Sequence, residues 1–159
     1  MSRLRLIWVG KTQRGFIQEG VEHYLKRVRS LLPAECEEVR AADHSGRGAA
    51  QALKLEAQAL LKRIGPADTV IVLDERGTHL ATPQLAERLA RLQAQRGKDL
   101  CFVVGGAYGL APQLPARAQL VLSLSKLTFP HQLARVILLE QLYRALSLNA
   151  GLPYHHGDP

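Results

Sequence analysis

Two segments of this chain offer main chain, rather than reactive side chains, for chemistry. The first reads F-V-V-G-G-A-Y-G-L, residues 102–110. The second reads L-V-L-S-L-S-K-L-T-F-P-H, residues 120–131. Neither brings a cluster of acids, a cysteine nucleophile or a metal-ligand spacing. What they bring is glycines, small hydroxyls, a proline and few bulky charges. Gly105, Gly106 and Gly109 can take φ > 0 or let a ligand approach the backbone closely. Loops of this kind suit a ligand read by N–H and C=O groups, such as a nucleoside cofactor. Taken alone, G-G-A-Y-G is more often a turn shaped for geometry than a site. The fingerprints G-x-G-x-x-G and G-x-x-x-x-G-K-[ST] are both absent, which disfavours a Rossmann dehydrogenase and a P-loop nucleotidase.

Such loops must be held by strands, and strand and helix patterns alternate along the whole chain. Residues 3–9 set Arg3 and Arg5 against Leu4, Leu6 and Trp8, a period of two. Residues 16–28 turn helical, with Phe16, Val21, Tyr24, Leu25 and Val28 near one face. Residues 36–41 form a weaker strand, 40–48 a polar loop, and 49–64 a helix stopped by Gly65-Pro66. T-V-I-V-L, residues 69–73, suits a strand buried on both faces. Thr82 is the expected N-cap of the next helix, with Pro83 at its first position and Leu85, Leu89 and Leu92 as its stripe. A strand at 100–104 follows, then a short helix at 112–117, a strand at 119–123 and a last helix at 131–148. This order predicts one domain over residues 1–159. Its fold class is α/β, with a mainly parallel sheet flanked by helices. Ligands of such sheets bind beyond the carboxyl ends of strands. Here those ends are Leu73-Asp74-Glu75, Gly105-Gly106 and residues 124–130.

The last helix is apolar on two sides. Leu138, Leu139, Leu142 and Leu146 form one arc; Leu133, Ile137 and Leu148 lie opposite, among Glu140, Gln141 and Arg144. A helix of that kind needs cover on both sides, which modestly favours a partner subunit over a wedge between sheet and tail. Glu140 and Arg144 stand at i,i+4, so a helix ion pair is their simplest role.

Net charge is +7, and 15 of the 21 basic residues are Arg. An Arg surplus suits a polyanion such as RNA; a genome's codon preference accounts for it equally well. Arg3, Arg5, Lys11, Arg14, Arg47 and Lys126 are the residues available to line an RNA path. Cys36 and Cys101 fit no metal motif and read as thiols of a reducing compartment. No run reaches the roughly 18 apolar residues of a membrane helix. The expected location is cytoplasmic, with neither membrane nor metal among the partners.

In the order of its motifs, nearly the whole chain resembles the ribosomal RNA large subunit methyltransferase H family, of the SPOUT class. The resemblance runs from W-V-G-K through V-L-D-E-R-G (72–77), G-G-A-Y-G-L (105–110) and L-S-L-S-K-L-T-F-P-H-Q (122–132). It continues in L-L-E-Q-L-Y-R-A (138–145) and P-Y-H (153–155). It implies a C-terminal trefoil knot and a homodimer. It implies methyl transfer from S-adenosylmethionine to N3 of a pseudouridine in 23S rRNA, within the large subunit or ribosome. Its cofactor positions fall on Leu73, Gly105, Leu124, Ser125, Lys126, Leu127, Thr128 and Phe129, with Gly106 and Pro130 adjoining. Thr78 and His156 depart from the family, which commonly has a Lys at the first position and a basic residue at the second.

The chemistry so implied needs alignment of N3, methyl carbon and sulfur, and removal of the N3 proton. His155 is the base candidate, since histidine titrates near neutrality. Tyr154 can stack on or hydrogen-bond the base, and Arg144 can stabilise negative charge. The rival reading is a non-catalytic RNA-binding module of α/β fold. It explains the charge and leaves the glycine turn without a purpose.

Overall fold

The structure is a computed structural model that describes residues 2–46 and 48–156. Its elements run β1 (Leu4–Val9), α1 (Phe16–Arg29), β2 (Ala34–Val39), α2 (Ala49–Lys62), β3 (Thr69–His79) and α3 (Thr82–Gln93). They continue with β4 (Leu100–Val104), α4 (Gln113–Arg117), β5 (Leu120–Ser123) and α5 (His131–Asn149). Among the described residues the five strands make one sheet, ordered β2-β1-β4-β3-β5, with every pairing parallel. All five strands therefore end on the same edge, where β-to-α loops gather.

The apolar runs of the central strands are buried on both faces, as a parallel sheet between helices requires. Leu4, Leu6, Trp8, Ile71, Leu100, Phe102 and Val104 face a layer supplied by α1, α3 and α5. Ile7, Val9, Val70, Val72, Cys101 and Val103 face Ala57, Leu60 and Leu114 of α2 and α4. Burying each large side chain contributes roughly 1.5–3 kcal/mol. In α1, Ile17, Val21, Leu25 and Val28 recur at helical spacing and make its buried stripe. No helix among the described residues is long and apolar enough to cross a membrane.

Four expectations change here. Strand β3 does not stop at Leu73 but runs on to His79, with a bulge: Leu73 and Thr78 both pair with Leu122 of β5. The N-cap of α3 is Ala81, not Thr82. The Gln84 side chain accepts the Ala81 N–H at 2.7 Å, while Thr82 Oγ1 donates to Gln141 Oε1 on α5, also at 2.7 Å. A hydroxyl used to join two helices is no longer free to cap one. Leu133 and Leu148, assigned to the second apolar side of α5, pack against the chain's own core between α1 and α3. Finally, Arg3 and Arg5 sit at the amino edge of the sheet among carboxylates. Arg3 pairs with Asp99 and Glu35, and Arg5 with Glu37 and Asp68. They fasten strand starts and lie at the opposite edge from the strand-end loops.

Candidate functional site

At the carboxyl edge lies a cavity of about 580 Å³, walled by three loops. Leu73 to Arg76 of the β3 bulge form one wall, Val104 to Leu110 after β4 a second, and Leu122 to His131 between β5 and α5 a third. Leu73, Gly105, Gly106, Leu124, Ser125, Leu127, Thr128, Phe129 and Pro130 all line it. Lys126 is not among the lining residues and is exposed.

The walls stand because small residues permit it. A Cβ on Gly105 would lie 2.6 Å from the Gly109 carbonyl oxygen and 2.9 Å from Leu110 Cγ, so no larger residue fits that turn. Gly109 holds φ +81°, a conformation L side chains rarely adopt. On the opposite wall, a Cβ on Gly77 would lie 2.6 Å from the Val121 carbonyl oxygen, which presses the bulge onto β5. The third wall folds on its own hydroxyls. Ser123 Oγ donates to the Ser125 carbonyl at 2.9 Å, and Ser125 Oγ accepts the Leu127 N–H at 3.0 Å.

The charge of the site is mixed. The Asp74 carboxylate accepts the Arg76 backbone N–H at 2.8 Å and its guanidinium at 3.0 Å, and Arg76 holds the carboxyl below its usual range. His131, at the first turn of α5, is pushed below its ordinary 6.5 by burial and then by Arg135. It therefore lines the cavity as a neutral imidazole at pH 7.

Two residues behind His131 were not singled out from sequence. Gln132 donates through Nε2 to the Lys11 carbonyl and accepts the Gln13 N–H through Oε1, both at 3.0 Å. Arg135 is wholly buried, donates to the Val9 carbonyl at 2.7 Å and Thr12 Oγ1 at 3.0 Å, and lies over the Trp8 ring. Burial pushes this guanidinium down to about 10. Together they fix the loop after β1 beside the cavity, and that loop exposes Lys11 and Arg14. The visible signal was two polar side chains, three apart, on the buried side of a helix.

Arg144, Tyr154 and His155 form a second cluster, away from the cavity. Arg144 Nε donates to Glu140 Oε1 at 2.9 Å, so the expected helix ion pair is present. Tyr154 Oη donates to the same oxygen at 3.2 Å, and the Arg144 guanidinium lies 4.8 Å from the Tyr154 ring centre. Tyr143 meets that ring edge-on at 4.6 Å, and Arg27 approaches both rings. His155 Nδ1 is buried without a hydrogen-bond partner. None of the three residues lines the cavity. His131 and Arg144 are thirteen residues apart on one helix, which at 1.5 Å per residue is about 20 Å. Arg47 and the tail 157–159 lie outside the described residues.

This geometry has counterparts in known proteins. The family described as predicted SPOUT methyltransferase matches residues 2–155. A "Ribosomal RNA large subunit methyltransferase H" of Geobacter sulfurreducens is 41% identical over 97% of this chain and 99% of its own length. Its namesake in Solidesulfovibrio magneticus is 45% identical over 98% of this chain and all of its own length. A crystal structure of a probable methyltransferase from Bordetella pertussis superposes with TM-score 0.60 at 15% identity, over 91% of this chain and 95% of that one, and so shares the fold. With a family match over nearly every residue, and a parallel sheet whose small-residue loops enclose a cavity at the carboxyl edge, this chain belongs to the SPOUT methyltransferase family.

Proposed function

We propose that this chain is an S-adenosylmethionine-dependent methyltransferase acting on N3 of a pseudouridine in 23S rRNA of the large subunit. It works as a homodimer of one-domain subunits, each with a trefoil knot in its C-terminal part. The observation that carries the reading is the cavity: backbone-walled, at the carboxyl edge, and intolerant of a Cβ at Gly105. It suits a nucleoside with an amino-acid tail, whose polar edges are met by main-chain N–H and C=O groups. The Asp74 and Glu75 carboxylates at its wall suit a cation.

When bound, S-adenosylmethionine supplies an electrophilic methyl carbon on a sulfonium. Leu73, Gly105, Gly106 and the loop from Leu124 to Pro130, apart from the Lys126 side chain, orient the donor. The work left to the protein is alignment and handling of the N3 proton. His155 takes that proton, Tyr154 holds the base, and Arg144 stabilises the charge left on the ring. Since Arg144 lies about 20 Å along α5 from His131, one subunit's tail serves the cavity of the other. Lys11, Arg14 and Lys126, exposed at the same edge, meet RNA phosphates.

A non-catalytic RNA-binding module would account for the +7 charge but gives the cavity no purpose. Calorimetry separates the two. The methyltransferase binds S-adenosylmethionine in a 1:1 ratio per subunit; absence of binding, with and without ribosomes, refutes it.

A further inference from the structure

Tyr108 is an exposed aromatic that the reaction as proposed does not use. It sits at the tip of the turn after β4, lines the cavity, and is 61% exposed. It does not hang free. The His44 ring stacks on it, with centroids 4.0 Å apart and planes 17° from parallel. His44 is itself fixed, because its Nε2 lies 3.3 Å from Glu56 Oε2. Glu56 is only 4% exposed, and the same oxygen accepts the Ala42 N–H at 2.9 Å. Thus a buried carboxylate on α2 holds the loop before it at two points. Through His44 that loop braces one face of Tyr108. With one face covered and most of the residue exposed, the other face of the ring is open at the mouth of the cavity.

We infer that Tyr108, braced by His44 on Glu56, is a stacking platform for a nucleobase of the RNA beside the acceptor base. Every base presents a π-face, so such a platform accepts a flanking base without reading its edge. A ring already held in place loses little freedom on binding, which favours this use over that of a mobile side chain. The adenine of the donor has the same ring chemistry. Yet so exposed a ring at the cavity mouth suits the larger, incoming substrate better than a cofactor enclosed by the walls.

The inference rests on the methyltransferase reading and is tested with ribosomes carrying unmethylated 23S rRNA. Y108A raises KM for ribosomes roughly tenfold or more, the size of one lost base–aromatic stack. The dissociation constant for S-adenosylmethionine, measured by calorimetry, stays within about twofold of wild type. Y108F restores the wild-type KM, and H44A gives a smaller rise because the platform remains but loses its brace. An unchanged KM for Y108A overturns the inference. So does an equal loss of S-adenosylmethionine affinity, which assigns the ring to the donor's adenine, and so does Y108F behaving like Y108A. Failure of the methyltransferase reading looks different: wild-type protein then methylates no ribosome, and the platform falls with it.

Discussion

Arg135 Nη2 donates to the carbonyl oxygen of Val9 at 2.7 Å, and no part of Arg135 reaches solvent. This bond ties α5 to the end of β1 and, through Thr12, to the loop that follows. Removing the side chain leaves buried acceptors unpaired and a void beneath that loop. R135A should destabilise the chain by about 3 kcal/mol or more. R135M, which keeps the bulk, should lose less. Denaturant unfolding of the three proteins measures the difference.

The Gly105 turn makes a sharper prediction. The Cβ of G105A would stand 2.6 Å from the Gly109 carbonyl oxygen, so the turn must open. Overpacking of this kind typically costs about 1–3 kcal/mol, here concentrated at the cavity wall. The affinity for S-adenosylmethionine should fall at least about tenfold, while circular dichroism still reports a folded chain. Calorimetry checks the first and a thermal melt the second.

His131 gives the site a pH dependence. Its folded pKa is below the ordinary 6.5, chiefly from burial. On acidification from about 6.5 down to that folded value, the unfolded chain takes up the proton first. Stability therefore falls as pH falls through this window and is unaffected by His131 above it. Protonation also sets a cation in the cavity against the sulfonium of the donor. S-adenosylmethionine binding should weaken below pH 6.5, and H131Q should flatten that dependence. Calorimetry and thermal melts between pH 5 and pH 8 test both effects.

Much of this was legible from residue order. The five strands and the α/β class follow from apolar runs and helical spacing, and small residues marked the loops of the cavity. What escaped depends on partners distant in sequence. D-E-R-G-T-H has no strand pattern, and residues 74–79 join β3 only because β5 lies alongside. Thr82 resembled a cap because nothing local shows that its hydroxyl meets Gln141, 59 positions away. Gln132 and Arg135 were not singled out because their partners, Lys11 and Thr12 in the loop after β1, lie 121 and 123 positions away. Within the expected cofactor stretch, residues 124–130, Lys126 is the residue absent from the cavity lining, and nothing in the residue order sets it apart from its neighbours.

The separation of cavity and tail within one chain predicts complementation. In the proposed homodimer, G105A impairs the cavity and R144A the cluster on α5 and the tail, and either variant alone should be nearly inactive at low S-adenosylmethionine. Subunits unfolded together and refolded as an equal mixture form about half mixed dimers, each with one intact site, so about a quarter of wild-type activity should return. No recovery would mean that cavity and tail act within a single subunit.

The central claim is tested most directly by supplying S-adenosylmethionine with a labelled methyl group and ribosomes from a strain lacking this activity. The modified nucleoside is then mapped by nuclease digestion and mass spectrometry. The account predicts label on one pseudouridine of 23S rRNA, at N3, and far less of it when G105A replaces the wild-type protein at low S-adenosylmethionine. Label on another nucleotide, on another RNA, or on none contradicts it.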